Sequence, residues 1–139
     1  MKKHFLPISL IAATLMIWLT FYSRLPDQLP IHWSINDHAD GFASKLNAML
    51  LSLGIMVFMY AILVIIPKID PKRENYKSFT KGYSMINFST LVLFSIINLM
   101  IICSGLGYEI QMNIIIPFVI GVLFTLIGLY MPNVKISIL

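Results

Sequence analysis

Charge is what this chain of 139 residues has least of: Asp, Glu, Lys and Arg together make up 12% of it. A water-soluble surface normally carries about 25%. The shortage is also uneven, because residues 4–23, 46–67, 82–108 and 110–134 contain no charged side chain at all. Each stretch is long enough for a helix to cross a hydrocarbon core about 30 Å thick, which takes ~17–20 residues. Four such stretches in one short chain leave too little polar surface for a soluble domain. Cysteine is nearly absent too. Cys103 stands alone, which excludes an internal disulfide, and near the end of an apolar stretch it reads as a packing residue. The apolar stretches hold no ionisable Asp, Glu, Lys or Arg of the kind an ion- or proton-coupled transporter needs at the midplane. Internal repeats and low-complexity segments are missing as well.

What is present is hydrophobic: 58% of the residues are apolar. The fold class that follows is an all-α integral membrane protein, one domain over 1–139 with four transmembrane helices at about 5–22, 46–66, 83–104 and 112–131. An outer loop spans 23–45 and a cytoplasmic loop spans 67–82. Pro7 falls in the first turn of the first helix on these bounds, and Pro67 stops the second. Ser44 is placed to cap the second helix. Asp70-Pro71 has the form of a helix start, so the third helix is expected to begin before the membrane, with Tyr76, Phe79 and Tyr83 on one face. Pro117 lies one turn inside the fourth helix and is expected to kink it or to be tolerated near its start.

The net charge of +4 reports orientation, not nucleic acid. Lys2, Lys3, Lys68, Lys72, Arg73, Lys77, Lys81 and Lys135 all fall on one side of a four-span topology, leaving Arg24 and Lys45 on the other. By the positive-inside rule both termini are cytoplasmic in a bacterial cell membrane. The charged start resembles a signal peptide, but "TFYSRLP" has no small-x-small cleavage pattern, so the first helix is expected to stay attached. Asn87 and Asn98 lie eleven residues apart, three helical turns, and are expected to join helices by hydrogen bonds.

The polar exception is the loop "LPDQLPIHWSINDHADGFASK", residues 25–45. Pro26 and Pro30 impose extended backbone before them. "IHWSI" alternates Ile31, Trp33 and Ile35 with His32, Ser34 and Asn36, as a strand does. "NDHADG" is a turn cluster whose sharpest element is Asp40-Gly41, and "FASK" can pair back. The expected product is a hairpin over the helix ends, with Trp33 and Phe42 toward membrane or helices. His32, Asp37, His38 and Asp40 then face outward. With Trp33 and Lys45 they form the candidate ligand-binding set. H-x5-H-x-D is not a zinc-type spacing, H-E-x-x-H is absent, and no serine or cysteine stands in a nucleophile context. We therefore assign no catalytic residue, no metal and no cofactor, while a metal-dependent membrane enzyme using His32, His38 and Asp40 stays as a third reading. On the other side, Lys72, Arg73, Glu74, Asn75, Tyr76 and Lys77 are the candidate contacts for lipid headgroups or a cytoplasmic regulator.

Two motifs resemble a known family. The loop has the form L-P-x-x-[IL]-P-x-H-[FW], a D-G pair, then S-K before the second helix. The segment "PKIDPKRENYKSFTKGY" is similar to D-P-[RK]-x-E-N-Y-x-x-F followed by tyrosine. Both are signatures of the SdpI/YfhL family of bacterial multi-pass membrane proteins, and the resemblance covers about 5–130. It places the outer motif on Pro26, Pro30, His32, Asp40, Gly41, Ser44 and Lys45, and the inner one on Asp70, Pro71, Glu74, Asn75 and Tyr76. It implies a non-enzymatic immunity protein that binds a secreted, membrane-active toxin peptide through its outer loop. The alternative is an accessory or sensor protein that recruits a regulator through 68–83. Full-length members continue through an "RTPW" segment into two more helices. This chain reaches "GLYMPNVKISIL", which reads as a short form or a truncated product.

Overall fold

The computed structural model describes residues 2–71 and 80–130. Its elements run α1 (Lys2–Phe21), a 3-10 turn (Tyr22–Arg24), β1 (Gln28–Trp33), β2 (Ala39–Ser44), α2 (Lys45–Ile69), α3 (Thr80–Gly105) and α4 (Met112–Tyr130). All four α-helices are long and apolar enough to cross a membrane. Their outward faces are apolar, with Phe5, Phe58, Phe118 and Phe124 among the exposed side chains, as lipid contact requires.

Three helices form the body, and α3 is the most enclosed of them. Its buried face carries Ser89, Leu91, Ser95, Asn98, Ile101 and Ile102. Lipid tails are as apolar as leucine, so association inside a bilayer leans on close packing and hydrogen bonds. Both are present. Thr14 and Ser95 share a hydrogen bond of 2.9 Å between buried hydroxyls. The Trp18 indole N–H donates to Asn98 Oδ1 at 2.7 Å. The same Asn98 gives its amide N–H to the Phe94 carbonyl at 2.8 Å and, at 3.4 Å, to the Ser52 carbonyl on α2. Asn98 thus ties α1, α2 and α3 together. Helix α4 is peripheral: none of its span is buried inside the protein.

The prolines depart from the expected bounds. Helix α1 already begins at Lys2, so Pro7 lies in its second turn, buried. Helix α2 passes through Pro67 and ends at Ile69 instead of stopping at Ile66. A proline inside a helix leaves the carbonyl four residues earlier without its amide partner. Here that carbonyl belongs to Leu63, and the Tyr83 hydroxyl of α3 donates to it at 2.6 Å. The proposed helix start at Asp70-Pro71 and the Tyr76/Phe79 face lie at or beyond the edge of the described residues.

The hairpin is docked, not loose. A core of Trp18, Leu25, Leu29, Ala48, Ile101 and Ile102 joins α1, the connector, β1, α2 and α3. Leu29 is fully buried and Leu25 nearly so. They lie against Gly105 at the end of α3, where a Cβ would stand 2.3 Å from Leu29 Cδ2. A side chain at this position would force Leu29 and Leu25 to shift.

Candidate functional site

Strands β1 and β2 pair antiparallel, with Gln28 opposite Ser44, Pro30 opposite Phe42, His32 opposite Gly41 and Trp33 opposite Ala39. The reversal differs from the expected one. The turn is Ser34–His38: Ser34 N–H donates to the His38 carbonyl at 2.8 Å, and Asp37 N–H to the Ser34 carbonyl at 3.1 Å. Asp37 takes the left-handed conformation, φ 60°. Aspartate tolerates that region better than most residues. Asp40-Gly41 lies inside β2 instead. Gly41 is needed there for close strand approach, since a Cβ on it would be 2.8 Å from His32 Cβ.

The register explains the polar pair. Asp40 has no opposite number, falling between the His32–Gly41 and Trp33–Ala39 pairs. Such a bulge re-aims a side chain. The Asp40 carboxylate turns to His32, with Nδ1 and Oδ1 2.5 Å apart. Both side chains stay open, 72% exposed for His32 and 48% for Asp40. Elsewhere on the hairpin two large apolar side chains are open: Ile35 is 88% exposed and Phe42 58%. His38 is exposed as well.

The other predicted site residues are engaged in the fold. Trp33 is half-buried against the core. Asp37 Oδ1 accepts the backbone N–H of Asn113 at 2.8 Å, which caps the first turn of α4. Lys45 is half-buried. Its ammonium lies 3.2 Å from Asp27 Oδ1 and 5.3 Å from the centre of the Tyr22 ring, and it donates to the Leu25 carbonyl at 3.4 Å. Ser44 caps α2 as expected, accepting Asn47 N–H at 3.3 Å. Among the described residues, no three His, Cys, Asp or Glu side chains are grouped so as to hold a metal ion. Lys72, Arg73, Glu74, Asn75, Tyr76 and Lys77 lie outside the described residues.

Two features were missed from the sequence. Ile35 at the turn was read only as part of a strand, although an isoleucine between Ser34 and Asn36-Asp37 is unusual in a polar reversal. Asn87 was grouped with Asn98, yet its Oδ1 is buried without a hydrogen-bond partner. It lines a cavity of about 280 Å³ at the end of the bundle away from the hairpin.

Residues 9–57 match a family described as Domain of unknown function (DUF1648), a segment running from α1 through the hairpin into α2. The chain is 25% identical over 131 residues to the immunity protein SdpI of Bacillus subtilis (strain 168), covering 92% of this chain and 58% of that protein. It therefore spans well under two thirds of that relative's length. No solved structure matches. Four membrane-length helices, the hairpin motif and these two matches together support an SdpI-like membrane protein with several spans.

Proposed function

We propose that this protein is a membrane immunity protein without catalytic activity, and that its hairpin surface engages a membrane-active toxin peptide. The carrying observation is the likeness to SdpI, a protein named for immunity, along 92% of the chain. The geometry supports it in two ways. The hairpin is held firmly by Leu25 and Leu29, so its surface is set before a partner arrives. That surface combines the open His32–Asp40 pair with exposed Ile35 and Phe42. A hairpin that exposes both apolar groups and a polar pair suits an amphipathic peptide lying at the membrane interface. The distribution of basic residues supports an outer position for the hairpin, the side from which a secreted peptide arrives.

The test is protection. The chain is expressed in a toxin-sensitive Gram-positive host and challenged with a membrane-active cannibalism peptide. Wild type is expected to protect. The double variant His32→Ala/Asp40→Ala and the variant Ile35→Ser are expected to reach the membrane in equal amount and to lose protection. Full protection by both variants would remove the hairpin from the mechanism. Absence of protection by well-inserted wild type would overturn the immunity reading.

A further inference from the structure

We propose that the outer edge of β2 binds the toxin peptide as a third, extended strand, and that the segment it takes is basic. The inference rests on the immunity reading for the identity of the partner, and it adds which groups hold that partner.

The hairpin is a two-stranded sheet, so each strand has an edge without a neighbouring strand. The ladder shows what each edge offers. Lys45 N–H donates to the Asp27 carbonyl at 2.9 Å. Along an antiparallel ladder, hydrogen-bonded and non-hydrogen-bonded pairs alternate. Counted from Asp27–Lys45, Leu29–Ala43 is a bonded pair and Pro30–Phe42 is not. Pro30, which has no N–H, therefore breaks no bond of the hairpin. Phe42 turns both its N–H and its C=O away from β1. Among the described residues, no backbone hydrogen bond engages residues 39–43 outside their pairing with β1. The two backbone groups of Phe42 are thus open to an incoming strand. The β1 edge is the poorer one. Pro30 leaves a gap in its row of donors, and Leu29 and Pro30 are buried. No residue of β2 is buried, and Asp40 and Phe42 are exposed.

Charge selects the occupant. At the hairpin end of the bundle, Lys45 is paired with Asp27 at 3.2 Å. That leaves Asp37, Asp40 and Glu109 against Arg24 within residues 22–45 and 105–112. A second copy of the chain would bring the same negative excess, whereas a basic strand is attracted. Asp40 suits its lysine or arginine, and Phe42 suits an apolar side chain.

The test uses the purified full chain in phosphatidylcholine nanodiscs, where a basic probe meets no anionic lipid. The probe is an octapeptide of alternating lysine and valine, blocked at both ends. Amide exchange at Phe42 and Ala43 is read by NMR. Without probe, Phe42 is expected to exchange about tenfold faster than Ala43 or more, which also reports that the hairpin is formed. At saturation Phe42 should slow by about tenfold, with Ala43 unchanged. The same peptide N-methylated throughout keeps its charge and side chains, and should bind about tenfold more weakly, the worth of one to two hydrogen bonds. Asp40→Lys should reject the probe and bind the glutamate–valine counterpart instead. Slow exchange at Phe42 without probe would mean an edge already covered, as by a second copy, and would overturn the proposal. So would an unchanged Phe42 rate with probe, or equal binding of the N-methylated peptide. Protection in the host by a chain whose Phe42 never pairs would overturn this mode of binding and leave the immunity reading standing. No protection by a chain whose Phe42 does pair would overturn the immunity reading and leave the edge as a site for a basic strand.

Discussion

The Tyr83 hydroxyl of α3 donates to the Leu63 carbonyl of α2 at 2.6 Å, the carbonyl that Pro67 leaves without its own helical amide. One side chain thereby lets α2 continue for half a turn beyond a proline and binds it to α3. Tyr83→Phe removes the donor and strands an acceptor, so it should destabilise the protein by about 1–2 kcal/mol. In a Pro67→Ala background the Leu63 carbonyl recovers its amide partner. The same Tyr83→Phe change should then cost clearly less, and a double-mutant cycle of unfolding in detergent measures the difference. Equal costs in both backgrounds would show that Tyr83 acts through something other than this carbonyl.

Seating of the hairpin depends on Gly105. A Cβ there meets Leu29 Cδ2 at 2.3 Å and Leu25 Cδ2 at 2.9 Å. Gly105→Ala should therefore cost about 1–3 kcal/mol by overpacking. Leu29→Ala alone should also destabilise, by about 2–5 kcal/mol, because it leaves a void. Combined, each change relieves the other, and the pair should fall well short of the sum. Simple additivity in thermal unfolding would mean that hairpin and helix end move apart instead of packing.

Much of this architecture was legible in the chain. The four helices follow from runs without charge, because length and composition alone decide whether a segment can cross hydrocarbon. The hairpin follows from alternation around Trp33 and from a turn cluster. Its reversal was misplaced because Asp40-Gly41 has the form of a tight turn. The signal that counted was Asn36-Asp37, two residues that tolerate positive φ. The glycine answered a different need, room beside His32 Cβ. Pro67 was read as a stop because the rule is local, whereas the group that rescues it, Tyr83, arrives from another helix. The Trp18–Asn98 bond is hidden in the same way: its partners lie 80 residues apart. The spacing of Asn87 and Asn98 placed both on one face of α3 but could not tell which of them finds donors.

That Trp18–Asn98 bond joins two fully buried side chains. Trp18→Phe keeps the ring and removes the N–H, so Asn98 Oδ1 loses its donor. The expected loss is about 0.5–2 kcal/mol, the range found for hydrogen bonds between membrane helices. Asn98→Leu should cost more, since it also releases the Ser52 and Phe94 carbonyls. Stability of the single and double variants in detergent should reveal coupling between the two sites. A purely packing role for Trp18 predicts no coupling.

Asp37 is the link between hairpin and α4. Its carboxylate caps α4 at the Asn113 amide, and its backbone holds φ 60°. Asparagine keeps an acceptor oxygen and accepts the same backbone, so Asp37→Asn should be nearly neutral. Alanine lacks the oxygen and dislikes positive φ, so Asp37→Ala should cost about 1–2 kcal/mol. Glycine separates the two causes: Asp37→Gly relieves the backbone but still leaves Asn113 N–H uncapped. Hydrogen exchange at Asn113 provides the site-specific reading. Faster exchange in both Asp37→Ala and Asp37→Gly, with none in Asp37→Asn, is the pattern expected of a cap. Faster exchange in alanine alone would mean that Asp37 serves the turn and not α4.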